Sequence, residues 1–560
     1  MKNSAKYCFL LLSIICGFGL KAQTNLKSDT FKVVKEYKPL LIDVDKISFN
    51  PEINDTFKIN TDLEYRFIHK PQHVSFTPEK ISAARIKGEP LVKLYNGYAK
   101  VGVGNSLIPF ADVYYSNQRS KEYAIGAQAK YLNQSELNEY EKSGFSKAHV
   151  EVFGKRFWKA NTLEGKLYYD HHDFNYYGLY ETPQISFSEL NEENLNQTYS
   201  SIGGAFRLVT TKQDSFNIRH DVSAQFNHLT NASSASELQI LANGNLSQIV
   251  DTDLYELDLI ADYSKYELGQ ESGIFAAKPQ ISTSGQRFKI KAGLGIYANV
   301  TDETNFHFYP LAEVKYDVID DILIPYAGIK GEVKRNNYRS ITQENPFVNE
   351  QLNLLSTNEK YNIYAGLRGT LSKQISFNTS VARVNSENAH FYIKPSFGNQ
   401  ILAKEFNLIY DDLQEWQIKG ELIYRMNEKI RLFALGEYFA FETDQIAEAW
   451  HRPEVKVSTS ALYNLKDKII AKVDLFYWGK QFAQGVNEVT VNQAGDIIDR
   501  SYFVEELAPI FDANLSFEYR YTKKLSAFLQ FNNLLGINYQ KYQDYPLQGF
   551  NFWGGLTYSF

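Results

Sequence analysis

Residues 511–532 read FDANLSFEYRYTKKLSAFLQFN, and this stretch decides the fold. Phe511, Ala513, Leu515, Phe517, Tyr519 and Tyr521 alternate with Asp512, Asn514, Ser516, Glu518 and Arg520. Successive side chains of a β-strand point to opposite faces, so one face is apolar and the other carries full charges. Thr522-Lys523-Lys524 then turns the chain, and Leu525, Ala527, Leu529 and Phe531 resume the apolar face against Ser526, Phe528, Gln530 and Asn532. The chain ends in the same way, with Phe550, Phe552, Leu556, Tyr558 and Phe560 against Asn551, Trp553, Thr557 and Ser559.

The pattern recurs upstream. Ile218, Val222, Ala224 and Phe226 oppose Arg219, Asp221 and Ser223; Phe288, Ile290 and Ala292 oppose Lys289 and Lys291. Leu367 and Leu371 oppose Arg368, and Val473, Leu475 and Tyr477 oppose Lys472, Asp474, Phe476 and Trp478. The strands run to about ten residues or more, longer than the ~5–6 usual in soluble sheets and matched to a tilted membrane crossing. Ten short turns are readable, at Gln118–Lys121, Lys155–Asn161, Thr211–Asp214, Ile249–Asp253, Ser284–Gln286, Val318–Asp321, Ser372–Gln374, Met426–Glu428, Lys466–Lys468 and Thr522–Lys524. Eleven other connections, several of them long, lie between and around them, which gives twenty-two strands with both ends on the short-turn side. Prolines 279, 310, 325, 453 and 509 are expected near strand ends, because proline cannot complete a ladder. The fold class is therefore all-β: a transmembrane antiparallel β-barrel of about 22 strands over residues 91–560, with short turns in the periplasm and long loops outside.

Composition agrees with this reading. Aromatics make up 15% of the 560 residues, with 39 Tyr and 38 Phe, although the mean hydropathy is only -0.37. Such rings suit a membrane–water interface, while a polar average follows when every second residue faces water. Lys2 and Lys6, the apolar run Tyr7–Leu20 and the Leu20-Lys21-Ala22 cut site read as a signal peptide over 1–22. No later stretch is long and apolar enough for a spanning helix, so any crossing must be made by strands. Both cysteines, Cys8 and Cys16, fall within the signal, which removes disulfides, thiol catalysis and cysteine metal sites from the mature chain. Loss of Lys2, Lys6 and Lys21 takes the formal charge from -6 to -9, which argues against a nucleic-acid partner. Residues 23–90 are broken by Asn50-Pro51, Lys70-Pro71 and Thr77-Pro78, and are expected to be a short periplasmic or lumenal segment.

Asn532-Asn533-Leu534-Leu535, Tyr539, Tyr542, Tyr545-Pro546, Gly549 and Leu556-Thr557-Tyr558-Ser559-Phe560 resemble the closing strands of TonB-dependent receptors. Glu89-Pro90-Leu91, Leu94-Tyr95, Gly97-Tyr98 and Val101-Gly102-Val103-Gly104-Asn105 resemble the opening strands of a plugless subset of that family, and Asp170–Gly178 is similar to its third outward strand. The resemblance implies a barrel that passes or binds a solute at the outer membrane. Leu556, Tyr558 and Phe560 would be the signal read by the barrel-assembly machinery. The chain has no room for the family's globular plug, which leaves a docking scaffold for a lipoprotein, export or surface partner as the alternative function. Asp29–Val34 reads first as an ordinary periplasmic strand; its sharper reading is a TonB box, able to add as a strand to a TonB-type partner.

The candidate lumen-lining residues are Arg219, Asp221, Lys289, Lys291, Arg368, Lys472, Asp474, Glu518 and Arg520. They either solvate the lumen and pair with one another, or mark a selective path. Asp170-His171-His172-Asp173 is read as a polar strand end, because neighbouring histidines on a strand face opposite ways and cannot share one ion. Loop aromatics Tyr176, Tyr177, Tyr180, Phe347, Tyr392, Tyr542 and Tyr545 are expected to cover loop surfaces, or to stack on sugars or a partner. No His-Glu-x-x-His, nucleophile-elbow or phosphate-loop pattern occurs, so no catalytic residue, metal or cofactor is expected and the chain is not read as an enzyme.

Overall fold

The structure, a computed structural model, describes residues 94–560 except 106, 118–119, 137–142, 179–194, 213–217, 234, 321, 395–404 and 492–496. The expected signal peptide, the 23–90 segment, the TonB-box stretch and Tyr180 lie outside the described residues.

Twenty-two strands form one sheet, each antiparallel to its neighbours, and the sheet closes on itself. The first strand, Gly97–Gly104, pairs with the last, Asn551–Ser559, from Tyr98 opposite Ser559 to Gly104 opposite Trp553. Each of the ten expected short turns joins two neighbouring strands, as in Val250 to Asp253 and Ser372 to Ile375. Both ends of the barrel meet at the short-turn end: Asn96 N donates to Phe560 O at 2.8 Å, and Ser559 N to Lys524 O at 2.7 Å. Closure leaves no sheet edge, and hence no row of unpaired backbone groups for lipid to meet.

The period-2 reading of the faces holds along the wall. Val103, Ile125, Leu167, Phe306 and Phe308 are all more than half exposed, and dozens of large apolar side chains are exposed beside them around the circumference. Soluble monomers rarely show contiguous apolar patches beyond a few hundred Å². An apolar band of this extent is stable only against hydrocarbon.

The seam shows how glycine serves the closure. A Cβ on Gly555 would meet Val101 O at 1.9 Å, and one on Gly102 would lie 3.0 Å from the Phe528 ring. The two glycines face each other across the seam, and the Phe528 ring covers both on the inner side. Lys100 sits 4.1 Å from the centroid of that ring and 5.0 Å from that of Trp553.

Two prolines depart from expectation. Pro279 and Pro310 lie inside the strands Glu271–Ser284 and Thr304–Tyr316, not near their ends. The ladder from Glu271–Ser284 to Phe288–Val300 skips Lys278 and Pro279 without changing register. Thr304–Tyr316 pairs with Ile324–Lys334 only from Ala312 to Lys315, so one side of Pro310 is free of ladder bonds. A strand tolerates proline where the missing N–H faces a gap in pairing.

The long-loop end carries structure of its own. Strands Ile375–Ile393 and Asn407–Arg425 reach 19 residues, well beyond what a bilayer needs. The connection between Trp478 and Ile510 holds a separate hairpin, Gln481–Val491 with Ile497–Leu507. The connection between Lys334 and Thr357 holds the one helix among the described residues, Tyr338–Glu344 (α1).

Candidate functional site

At the long-loop end of the barrel, residues 335–356 and 533–550 pack together as a cap. Inward-facing residues at strand ends, Phe174, Tyr199, Leu229 and Tyr266, pack against Tyr338, Ile341, Val348 and Leu352 of the first segment and Tyr542 and Tyr545 of the second. Phe347 stacks on Tyr545 with ring centroids 3.7 Å apart, and Tyr177 meets both rings edge-on. The loop aromatics are therefore mostly neither surface cover nor open stacking platforms. Tyr176, Tyr392, Tyr542 and Tyr545 are buried in a shared core, because several connections converge there and supply the second layer that a lone loop lacks.

Polar bonds fix this cap in place. The Glu237 carboxylate, buried at the start of its strand, accepts from Tyr338 N and Arg339 N at 2.9 Å each and from Ser264 Oγ at 3.0 Å. It thus supplies acceptors for two of the free N–H groups of the first turn of α1. Asn337 and Ser340 complete a capping box, Asn337 Oδ1 accepting from Ser340 N at 2.9 Å. Arg335 pairs with Asp262 at 2.7 Å and donates to Ser272 Oγ at 2.5 Å. Five tyrosine hydroxyls then donate to main-chain carbonyls of the same segment. Tyr542 bonds Glu344 O at 2.7 Å, Tyr199 bonds Pro346 O at 2.9 Å, Tyr176 bonds Val348 O at 3.2 Å and Tyr410 bonds Asn353 O at 2.9 Å. Tyr266 bonds Glu350 O. Each ties a wall or a neighbouring connection to the cap, and a buried bond of this kind contributes about 1 kcal/mol net.

Burial shapes the ionisation of the cap. It pushes the Tyr338 phenol up to about 12 and the His451 imidazole down to about 3. Burial by itself would raise the Glu344 carboxyl, but its bond to His390, 3.0 Å away, and the nearby Arg452 guanidinium hold it below the usual range.

Two cavities lie between cap and wall, on either side of α1. One, of about 670 Å³, is lined by Lys130, Lys147, His149, Asp170 and His172 of the wall and by Arg339 of α1, among others. The other, of about 370 Å³, is lined by Glu344, Arg452, Lys456, Phe439, Phe441 and Trp478, among others. Phe439 and Phe441 stack nearly parallel, and Lys456 lies over Phe439 and Trp478.

The charges singled out from the sequence alternate with exposed apolar residues, and none of them lines either cavity. Asp221 takes both Nε and a terminal nitrogen of Arg207, at 2.8 and 2.5 Å. Lys291 pairs with Glu256 at 3.0 Å, Lys472 with Asp474 at 2.8 Å and Arg520 with Glu518 at 3.1 Å. Arg219, Lys289 and Arg368 form no ion pair among the described residues, and lie opposite Ser247, Lys315 and Asn378 in register. Leu556, Tyr558 and Phe560 are exposed on the outer face at the seam. In the histidine stretch His149 lies 2.6 Å from Asp170, and His171 stacks with outward Tyr169 while His172 stands beside inward Phe174. No group of three or more potential metal ligands occurs among the described residues. Sequence reasoning missed Glu237, Arg335 and α1; the only signal was Asn337-Tyr338-Arg339-Ser340, a weak capping box inside a long loop.

No protein-family model matches this sequence, and no curated protein matches it significantly. Solved structures match its fold. The siderophore receptor PirA from Acinetobacter baumannii superposes with a TM-score of 0.61 at 10% identity, covering 83% of this chain and 80% of that one. The FrpB iron transporter from Neisseria meningitidis gives 0.62 at 9% identity, with 84% and 82% covered. The pyoverdine outer membrane receptor FpvA from Pseudomonas aeruginosa gives 0.60 at 12% identity, with 83% and 78% covered. This chain thus shares its closed 22-stranded barrel fold with these receptors and transporters.

Proposed function

We propose that the chain is an outer-membrane receptor of transport type, which takes up a solute at its long-loop mouth and passes it through the barrel. The observation that carries this reading is the cap: a folded, hydrogen-bonded closure with cavities at its flanks suits a gated path better than an open pore. The fold-related proteins include a siderophore receptor, an iron transporter and a copper transporter, which supports solute movement without naming the solute. In this reading the short turns and both barrel ends are periplasmic, and Arg219, Asp221, Lys289, Lys291, Arg368, Lys472, Asp474, Glu518 and Arg520 line the lower lumen. Leu556, Tyr558 and Phe560 present the assembly signal, and Asp29–Val34 would engage a TonB-type partner. A second reading, a docking scaffold, is favoured by one feature: Tyr502, Phe503 and Val504 are consecutive exposed apolar residues on the hairpin inserted in a long loop.

Flux and labelling test the proposal together. The mature chain lacks cysteine, so Glu303→Cys should react with a membrane-impermeant maleimide on intact cells, and Lys523→Cys only after the outer membrane is breached. The purified protein in planar bilayers should stay closed and conduct once the cap is loosened. Reversed labelling would overturn the orientation, and silence of both closed and loosened forms would overturn transport in favour of the scaffold.

A further inference from the structure

We infer that the larger cavity beside α1 is a binding subsite for an anionic solute, one carrying carboxylate or phosphate groups. This rests on the reading of the chain as a solute receptor and names the class of solute. Two adjacent rows of inward side chains cross four strands here. Lys130, His149, Asp170 and Ser201 face one another in register in one row, and Leu132, Lys147, His172 and Tyr199 in the next. Arg339 closes the cavity from α1.

Three cations without an ion pair, gathered at one recess, carry the inference. Elsewhere on the inner face cations are commonly matched by carboxylates, as in Arg207 with Asp221, Lys291 with Glu256, Lys419 with Glu437 and Lys166 with Glu151. Lys130, Lys147 and Arg339 form no ion pair with a carboxylate among the described residues. The cavity's own carboxylate, Asp170, is already bonded to His149 at 2.6 Å. Asp112, which neighbours Lys130 in register, accepts from Gln128 Nε2 at 3.0 Å and from the Tyr98 hydroxyl at 3.2 Å. Three cations thus share a recess of about 670 Å³, within the ~300–1,000 Å³ usual for small-molecule sites. A recess walled by protein strengthens their joint field relative to open water. An anion entering it gains three charged donors, two lysines on the wall and one arginine on the cap, so its binding also bridges wall and α1.

The test uses the full mature chain in detergent, titrated calorimetrically with inorganic phosphate and with citrate. Wild type should bind at least one of them saturably, more weakly as salt rises. The double variant Lys130→Gln/Lys147→Gln and the single variant Arg339→Gln should each weaken it tenfold or more, while Lys419→Gln, paired with Glu437 elsewhere in the wall, should leave it unchanged. Mobility of unboiled protein on gels reports that each barrel is folded. Absence of saturable binding by wild type, or equal weakening by Lys419→Gln, would overturn the inference. Binding that behaves as expected in a protein showing no flux would keep the subsite and discard the transport reading.

Discussion

The barrel wall and its cap use the same residue, tyrosine, in opposite ways. On the wall Tyr115, Tyr169, Tyr477 and Tyr558 stand exposed on the outer face, where the bilayer supplies the apolar surroundings. In the cap Tyr176, Tyr266, Tyr338, Tyr542 and Tyr545 are buried against one another, and several of their hydroxyls end on main-chain carbonyls. The wall is stabilised by lipid and by its ladder; the cap is stabilised by its own packing and by bonds to strand ends. Damage to one should therefore leave the other standing.

The largest effect is expected on the wall. Leu529→Arg, at an exposed outer position, should lower barrel stability by about 2–4 kcal/mol in lipid if it lies near the midplane. Chemical unfolding in liposomes measures this, and an unchanged midpoint would break the assignment of faces on which the comparison stands. A smaller and different effect is expected in the cap. Glu237→Ala strands the N–H groups of Tyr338 and Arg339 and should cost the cap about 1–3 kcal/mol. Its signature is raised conductance in planar bilayers with the global unfolding midpoint kept, and a fall in the midpoint as large as that of Leu529→Arg would show that cap and wall are one cooperative unit. The smallest effect is expected at half-exposed ion pairs of the wall. Lys472→Gln should change stability by no more than about 1 kcal/mol, because solvent screens the Asp474 pair.

The wall was legible because a strand writes its surroundings into the sequence with a period of two. Every Leu–Asp or Phe–Arg alternation reports which side meets lipid, and Thr522-Lys523-Lys524 or Ser372-Lys373-Gln374 marks each reversal. Pro279 and Pro310 misled that reading, since nothing local announces that the neighbouring strand omits its bonds there. The inner surface was legible only in polarity. The charged residues read from the pattern alternate with exposed apolar side chains, while the cavities formed at other positions, near strand ends that the alternation treats like any other.

The cap was not legible, for a physical reason. Glu237 and Tyr338 are 101 residues apart, and Tyr176 and Val348 are 172 apart. Neither segment carries a period that names its partner; each is a polar or aromatic loop until closure of the barrel brings them together. The sequence alone settled the architecture of the cylinder, because each strand's preference is local and repeated. Only the tertiary structure decided what stands in its mouth, because that packing depends on loops converging from strands far apart in the chain, which the closed circle alone makes neighbours.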